Sequence, residues 1–197
     1  MSARLPLFVD LADRRVLVVG GGRAAERKLS SLLDAGAVVT LIAPKVLESV
    51  RRLLHASPQS QLLRRRAKVQ DVTAKYTLFF PLTDDPELNQ RLSAAAREAK
   101  VWVAGSTSPD NADFHLGAVV DSGPVRLAIS TGGASPALAG FLAQLLRQLL
   151  PESLEGTLSS LRQERQRLRA TLGTPARRRT LIAQAVQVLE DCPAESN

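Results

Sequence analysis

Residues 15–42, RVLVVGGGRAAERKLSSLLDAGAVVTLI, switch between a β-rich apolar pattern and a helical one. Val16 to Val19 is a β-rich apolar run that stops abruptly at glycines, the mark of a strand buried on both faces. Ala25, Leu29, Leu32 and Leu33 then recur at helical spacing from Ala24 to Ala35, and Gly36 stands where a helix ends. Val38 to Ile42 is a second β-rich run, halted by Ala43 and Pro44. Strand, glycine turn, helix and strand in about thirty residues compose a βαβ unit with parallel strands and a right-handed crossover.

The alternation continues on the C-terminal side. A helix is predicted from Val46 to His55, a strand from Gln61 to Arg66 and an apolar strand-like run from Tyr76 to Leu82. Pro86 opens a further helix that presents Leu88, Leu92 and Ala95 on one side, and Val101 to Ala104 returns as a strand. The pattern predicts an α/β chain with an N-terminal doubly wound parallel sheet of Rossmann type. Turn-forming residues crowd together from Gly105 to Asp113, so the first domain is set at residues 1–112. Two strands, Gly117 to Val120 and Val125 to Ser130, flank a predicted turn at Asp121-Ser122-Gly123-Pro124 in a small strand-containing segment, residues 113–150. Beyond Pro136 the chain reads as helices. Leu138, Phe141, Leu142, Leu145 and Leu149 make one apolar face, and residues 151–197 form a helical C-terminal domain with Pro175 separating its last two helices.

Composition narrows the function. Lys and Arg total 26 against 19 acidic residues, a formal charge of +7, which favours an anionic partner. Aromatic residues are 4% of the chain and no helix-turn-helix, RNP-like or Cys/His zinc spacing occurs, so nucleic acid is not the expected partner. Cys192 is the single cysteine, which excludes an intrachain disulfide and fits a reducing compartment. No leader-like segment or apolar run of spanning length is present. A soluble cytoplasmic protein with no membrane partner is expected.

Gly20-Gly21-Gly22-Arg23-Ala24-Ala25 contains G-x-G-x-x-A between a strand and a helix, the context that gives this motif its meaning. Gly20 serves the tight turn, Gly22 lets a pyrophosphate approach the backbone, and Ala25 lets the helix pack closely on the sheet. The helix N-terminus, with the amides of Arg23 and Ala24, then faces the phosphates. A glycine-rich turn serving only strand-to-helix geometry is the plainer alternative. The second strand lacks the acidic residue that often binds the adenosine ribose, so Ala43, Pro44 and Lys45 are expected there. NAD is the expected cofactor, and Lys45 keeps NADP open through a 2′-phosphate.

The residues resemble the precorrin-2 dehydrogenase and ferrochelatase family, the N-terminal module of siroheme synthase. The resemblance rests on five ordered groups: Leu5-Pro6-Leu7-Phe8; Val18-Val19-Gly20-Gly21-Gly22 with Ala25-Glu26-Arg27-Lys28; Ala35-Gly36-Ala37 with Ala43-Pro44; Thr83-Asp84-Asp85 with Asn89; and Ser130-Thr131-Gly132-Gly133-Ala134-Ser135-Pro136-Ala137. It implies NAD-dependent dehydrogenation of precorrin-2 to sirohydrochlorin, an anionic tetrapyrrole substrate, and a homodimer built through a dimerisation segment. A bifunctional dehydrogenase and sirohydrochlorin ferrochelatase, or a non-catalytic tetrapyrrole-binding protein, are the alternative readings.

The resemblance also assigns residues. Thr83 and Asp84 fall where cofactor and substrate meet, although Asp84 also suits capping of the helix at Pro86. Asn89, Ser130, Thr131 and Ser135 are expected to bind substrate; for Ser135 with Pro136, simple helix capping is structurally sufficient. Arg64-Arg65-Arg66 and Arg162, Arg165, Arg167 and Arg169 read either as anion-binding groups or as a solvated surface. Where the family carries an Asp before a small residue and proline, this chain has Thr107 in Ser106-Thr107-Ser108-Pro109, and threonine is no base near neutral pH without an activating group. Ferrochelatase activity is therefore doubtful. Asp113 and His115 are the candidate catalytic replacements; Asp110 lies near them, and turn-forming aspartates with a half-buried histidine are the alternative. His55 reads as a helix-surface residue, and no resident metal site is expected.

Overall fold

Alternation along the first strand organises the whole first unit. In the computed structural model, which describes residues 5–105, 112–151, 154–169 and 173–190, β1 spans Arg15–Val19 and sits at the centre of a five-stranded parallel sheet. Val16 and Val18 point to one face and pack with Leu29 and Leu32 of α1 (Arg23–Asp34) and with Val50 and Leu54 of α2 (Glu48–His55). Leu17 and Val19 point to the other face and pack with Leu92 and Ala96 of α3 (Pro86–Glu98). A strand covered on both sides has no solvent face for a polar residue, and for this reason Val16 to Val19 is uninterrupted.

The remaining strands are β2 (Val38–Ile42), β3 (Gln61–Leu63), β4 (Leu78–Pro81) and β5 (Trp102–Val103), in the order β3-β2-β1-β4-β5. β1 pairs with β2 through Val19↔Ile42 and with β4 through Val19↔Pro81, so the chain direction of winding reverses at β1. That switch point opens a crevice beyond the carboxyl ends of β1 and β4.

Several expected boundaries move. α2 starts at Glu48 rather than Val46, because Val46 packs under the glycine turn and Leu47 is extended as the N-cap. β3 ends at Leu63 rather than Arg66: the Arg65 N–H turns back to the Leu63 carbonyl at 2.9 Å, and the Arg65 guanidinium reaches both oxygens of Asp71 at 2.7 and 2.6 Å. Only a 3-10 turn, Val69–Asp71, intervenes before β4, with Val72 and Tyr76 covering the sheet in place of a helix.

Asp71 also accepts the Lys68 N–H at 2.7 Å, and the Arg65 guanidinium foremost holds its carboxyl below the usual carboxylate range. A depressed folded value means that the pair stabilises above the unfolded carboxyl value near ~4 and loses that contribution as pH falls through the lowered folded value. Asp71→Asn should therefore be less stable than the parent at pH 7 by about 0.5–1 kcal/mol, with the gap closing at strongly acid pH, once the parent carboxyl is protonated. Urea unfolding at both pH values measures it; an equal gap at each would contradict the assignment.

The second compact unit begins at Gly117. β6 (Ala118–Ser122) and β7 (Val125–Ile129) form an antiparallel hairpin with Ser122 paired to Val125. The turn is thus Gly123-Pro124 alone; Asp121 and Ser122 lie within the strand, where Asp121 pairs with Arg126 at 2.6 Å. α4 (Pro136–Leu149) packs on β6, and α5 (Glu155–Arg169) and α6 (Thr174–Glu190) pack on each other. Pro175 does not separate the last helices. It stands in the first turn of α6, where the missing N–H has no intrahelical role.

Candidate functional site

The glycine turn joins β1 to α1 at the mouth of the crevice. Gly20 has φ +116°, and a Cβ there would run into the Leu82 carbonyl and come within 3.1 Å of the Thr83 nitrogen. A Cβ on Gly21 would meet the Lys45 carbonyl at 2.6 Å and Val46 Cγ1 at 2.5 Å. Two glycines therefore permit three loops, those after β1, β2 and β4, to close on one another. Leu82 N–H to Val19 O at 2.7 Å and Leu47 N–H to Gly21 O at 3.0 Å hold them there.

Gly22 differs. It is the N-cap of α1, in ordinary extended conformation, and a Cβ there would meet nothing within 4 Å. No side chain caps the helix, and Arg23 at its first position adds positive charge where the macrodipole would prefer an acid. Glu26 in the same turn balances the Arg23 charge, so the attraction for an anion rests on the free N–H groups and the helix dipole; an exposed, uncapped helix N-terminus with open space in front of it fits the phosphates of a dinucleotide. Lys28, on the same helix, has its ammonium pushed down by burial and further by Arg27.

The loop after β4 faces this turn. Thr83 is partly buried and Asp84 exposed. Asp84 does not cap α3. The cap is Asp85, which immediately precedes Pro86 and accepts the Leu88 N–H at 3.0 Å. Asn89, expected to touch substrate, is 7% exposed and spends its carboxamide on Thr83 instead: Oδ1 accepts from Thr83 Oγ1 at 2.7 Å, and Nδ2 donates to the Thr83 carbonyl at 2.9 Å. At the end of β2, Ala43 is buried while Pro44 and Lys45 are exposed.

Asp113 and His115 follow the segment 106–111, so Thr107 and Asp110 lie outside the described residues. Asp113 is tied to β5: Oδ2 accepts the Val103 N–H at 2.8 Å, its own N–H donates to the Val103 carbonyl at 2.9 Å, and Oδ1 lies 3.9 Å from Arg97. The His115 ring lies against Gly105, where a Cβ would fall 2.6 Å from Nδ1, and its neighbour Phe114 meets Phe80 edge-on at 5.6 Å. Both residues stand at the β5 end of the sheet; Asp113 has a structural duty that the sequence did not announce.

In the second unit, Ser135 caps α4 by accepting the Leu138 N–H at 3.2 Å, and Thr131 Oγ1 bonds both the N–H and the carbonyl of Ser135. Ser130 Oγ accepts the Gly132 N–H at 3.2 Å. Their hydroxyls thus shape the turn ahead of the helix. Of the arginine run, Arg65 is committed to Asp71, while Arg64 and Arg66 are exposed. His55 is exposed and, with Arg51, Arg52 and Ala56, lines an open depression of about 450 Å³ that includes none of the glycine-turn residues. Sequence reasoning missed the roles of Asn89 and Gly21; the only local signal for Asn89 was a polar residue on the inward side of a helix.

The family model described as "Putative NAD(P)-binding" matches residues 7–118. The siroheme synthase of Tolumonas auensis is 38% identical over 176 residues, 89% of this chain and 36% of that protein. That of Methylococcus capsulatus is 39% identical over 178 residues, again 89% and 36%. That of Nitrosospira multiformis is 35% identical over 185 residues, 93% of this chain and 39% of the relative. The chain thus spans well under half the length of the curated relatives it matches. The solved structure of "SirC, precorrin-2 dehydrogenase" has the same fold, with a TM-score of 0.67 and 24% identity over 96% of this chain and all of that one.

Proposed function

The chain belongs to the NAD(P)-binding family matched along residues 7–118, and from that premise we propose that it oxidises precorrin-2 to sirohydrochlorin with NAD. The observation that carries the reading is the open space at Gly22 before an uncapped helix N-terminus, in a chain whose relatives are siroheme synthases. Gly20, Gly22, Arg23 and Ala24 would hold the pyrophosphate, Ala43, Pro44 and Lys45 the adenosine ribose, and Thr83 and Asp84 the inner half of the cofactor. A bound nicotinamide supplies the hydride acceptor. The reaction removes one hydride and one proton from the macrocycle, and the proton goes to water or to a base among Asp113 and His115. In the second unit, Ser130, Thr131 and Ser135 are proposed to engage substrate carboxylates. No acid stands after β2 to select NAD, and Lys45 is the residue that would accept a 2′-phosphate if NADP binds instead.

In this reading, residues 1–112 bind the dinucleotide, 113–150 form a dimerisation segment and 151–197 a helical end, in a cytoplasmic homodimer. None of the helices among the described residues is long and apolar enough to cross a membrane. Leu138, Phe141, Leu142, Leu145 and Leu149 of α4 are all exposed, Leu149 by 74%, which supports an apolar face covered by a second copy. Sedimentation at micromolar concentration should give a dimer, and Phe141→Glu should shift it to monomer; a parent monomer would end the dimer proposal.

The decisive assay gives the purified chain precorrin-2 with NAD or NADP, then sirohydrochlorin with Fe²⁺ or Co²⁺, and follows each spectrum. Dehydrogenation with NAD is expected. Metal insertion is expected to be poor, because Thr107 replaces a carboxylate that would take pyrrole protons or pass the ion, and Thr107→Asp should raise insertion more than dehydrogenation. Tight tetrapyrrole binding without a dinucleotide-dependent change would make the protein a carrier. Insertion of Fe²⁺ well above the uncatalysed rate would make it bifunctional.

A further inference from the structure

We propose that Asn89 is a positioning residue of the dinucleotide site, setting from α3 the place of the loop that abuts the first glycine of the cofactor turn. The proposal rests on reading Gly20–Gly22 as a nicotinamide dinucleotide site.

Asn89 is the fourth residue of α3 and is buried, where a leucine would cost no polar desolvation. Its carboxamide is directed wholly at one residue. Oδ1 accepts from Thr83 Oγ1 at 2.7 Å and from the Thr83 N–H at 3.3 Å, and Nδ2 donates to the Thr83 carbonyl at 2.9 Å. Thr83 Oγ1 also accepts the Asp85 N–H at 3.2 Å, and Asp85 caps the same helix. The start of α3 and Thr83 therefore form one hydrogen-bonded block.

That block stands against the cofactor turn. The Thr83 nitrogen lies 3.1 Å from where a Gly20 Cβ would be, and the Leu82 carbonyl is closer still. A shift of the Thr83 peptide by a fraction of an ångström would move the wall against which Gly20 is folded, and Gly22 follows Gly20 by two residues. Asn89 thus reaches the phosphate cradle through Thr83 and Gly20 without touching a ligand. A residue of this kind affects affinity more than folding.

The test uses the full chain and NADH fluorescence titration, with NADPH alongside. Asn89→Leu keeps the branched shape, slightly enlarged, and removes all three bonds; its dissociation constant should rise at least tenfold, with the apo melting temperature falling only a few degrees. Asn89→Asp provides the chemical readout. Ionised, the introduced carboxyl has no donor for the Thr83 carbonyl; protonated, it reproduces the acceptor-plus-donor pattern of the amide. Burial raises such a carboxyl's titration. Affinity of this variant relative to the parent should therefore be reduced at pH 8 and recover as pH falls through the mildly acidic range. If Asn89→Leu does not fold, this pH series decides, together with amide exchange in the parent chain, where saturating NADH should slow Thr83 along with the Gly22 amide. Parent-like affinity of folded Asn89→Leu, a pH-independent ratio for Asn89→Asp, or Thr83 exchange unmoved while Gly22 slows would each overturn the proposal. A parent chain that binds neither NADH nor NADPH instead removes the dinucleotide reading beneath it.

Discussion

Gly22→Asp should fold like the parent and lose dinucleotide binding by a factor of at least one hundred. The backbone at Gly22 has φ −88° and ψ −166°, which any residue adopts, and a Cβ there has open space around it. Aspartate is moreover a favoured N-cap, and its side chain would accept N–H groups of the first turn that no side chain now caps. Stability should stay level or rise by a few tenths of a kcal/mol. In the proposed binding mode the same carboxylate would occupy the phosphate position, take the amides that a pyrophosphate would use and set a like charge against it. Charge-assisted hydrogen bonds are worth about 1.5–3 kcal/mol each, so the loss of even two accounts for roughly two orders of magnitude or more in affinity. Calorimetric titration with NADH, paired with a melting curve, measures both quantities. Parent-like affinity in a folded Gly22→Asp would remove the phosphates from this helix N-terminus.

Gly20→Ala, two residues earlier, should do the reverse and strike the fold. At φ +116° an alanine is strained, and its methyl would be driven into the Leu82 carbonyl, a backbone atom held by the bond from Leu82 N–H to Val19 O. Backbone strain of about 1–3 kcal/mol and overpacking of about 1–3 kcal/mol act together, so a loss of roughly 3 kcal/mol or more is expected. At about 2–4 °C per kcal/mol for a chain of this length, the melting temperature should fall by roughly 6–12 °C. A change under 2 °C would mean that the β4 loop yields easily, and the tight closure between Gly20 and Thr83 would lose its structural meaning. The two glycines of one motif should thus separate in these measurements: Gly20→Ala should lower stability, and Gly22→Asp should lower dinucleotide affinity.

The contrast bears on what could be read in advance. β1, α1 and β2 are legible because their signals are local: a branched apolar run, a helical period and a glycine at each end. The cap of α4 is equally local, since Ser135 directly precedes Pro136. The same rule, applied strictly, points to Asp85 and not Asp84 as the cap of α3, because the cap is the residue immediately before the proline at N1.

Residues 15–42 are enough to specify the parallel α/β core and the place of its glycine turn, because strand burial and helix period are written within one turn or one pleat of each residue. Tertiary structure alone decided that β4 lies beside β1, that Gly21 meets Val46, that Asp113 secures β5 at Val103 and that Asn89 grips Thr83. Each of these joins groups on different elements, and a buried polar side chain takes whichever partner the packing of those elements brings within reach.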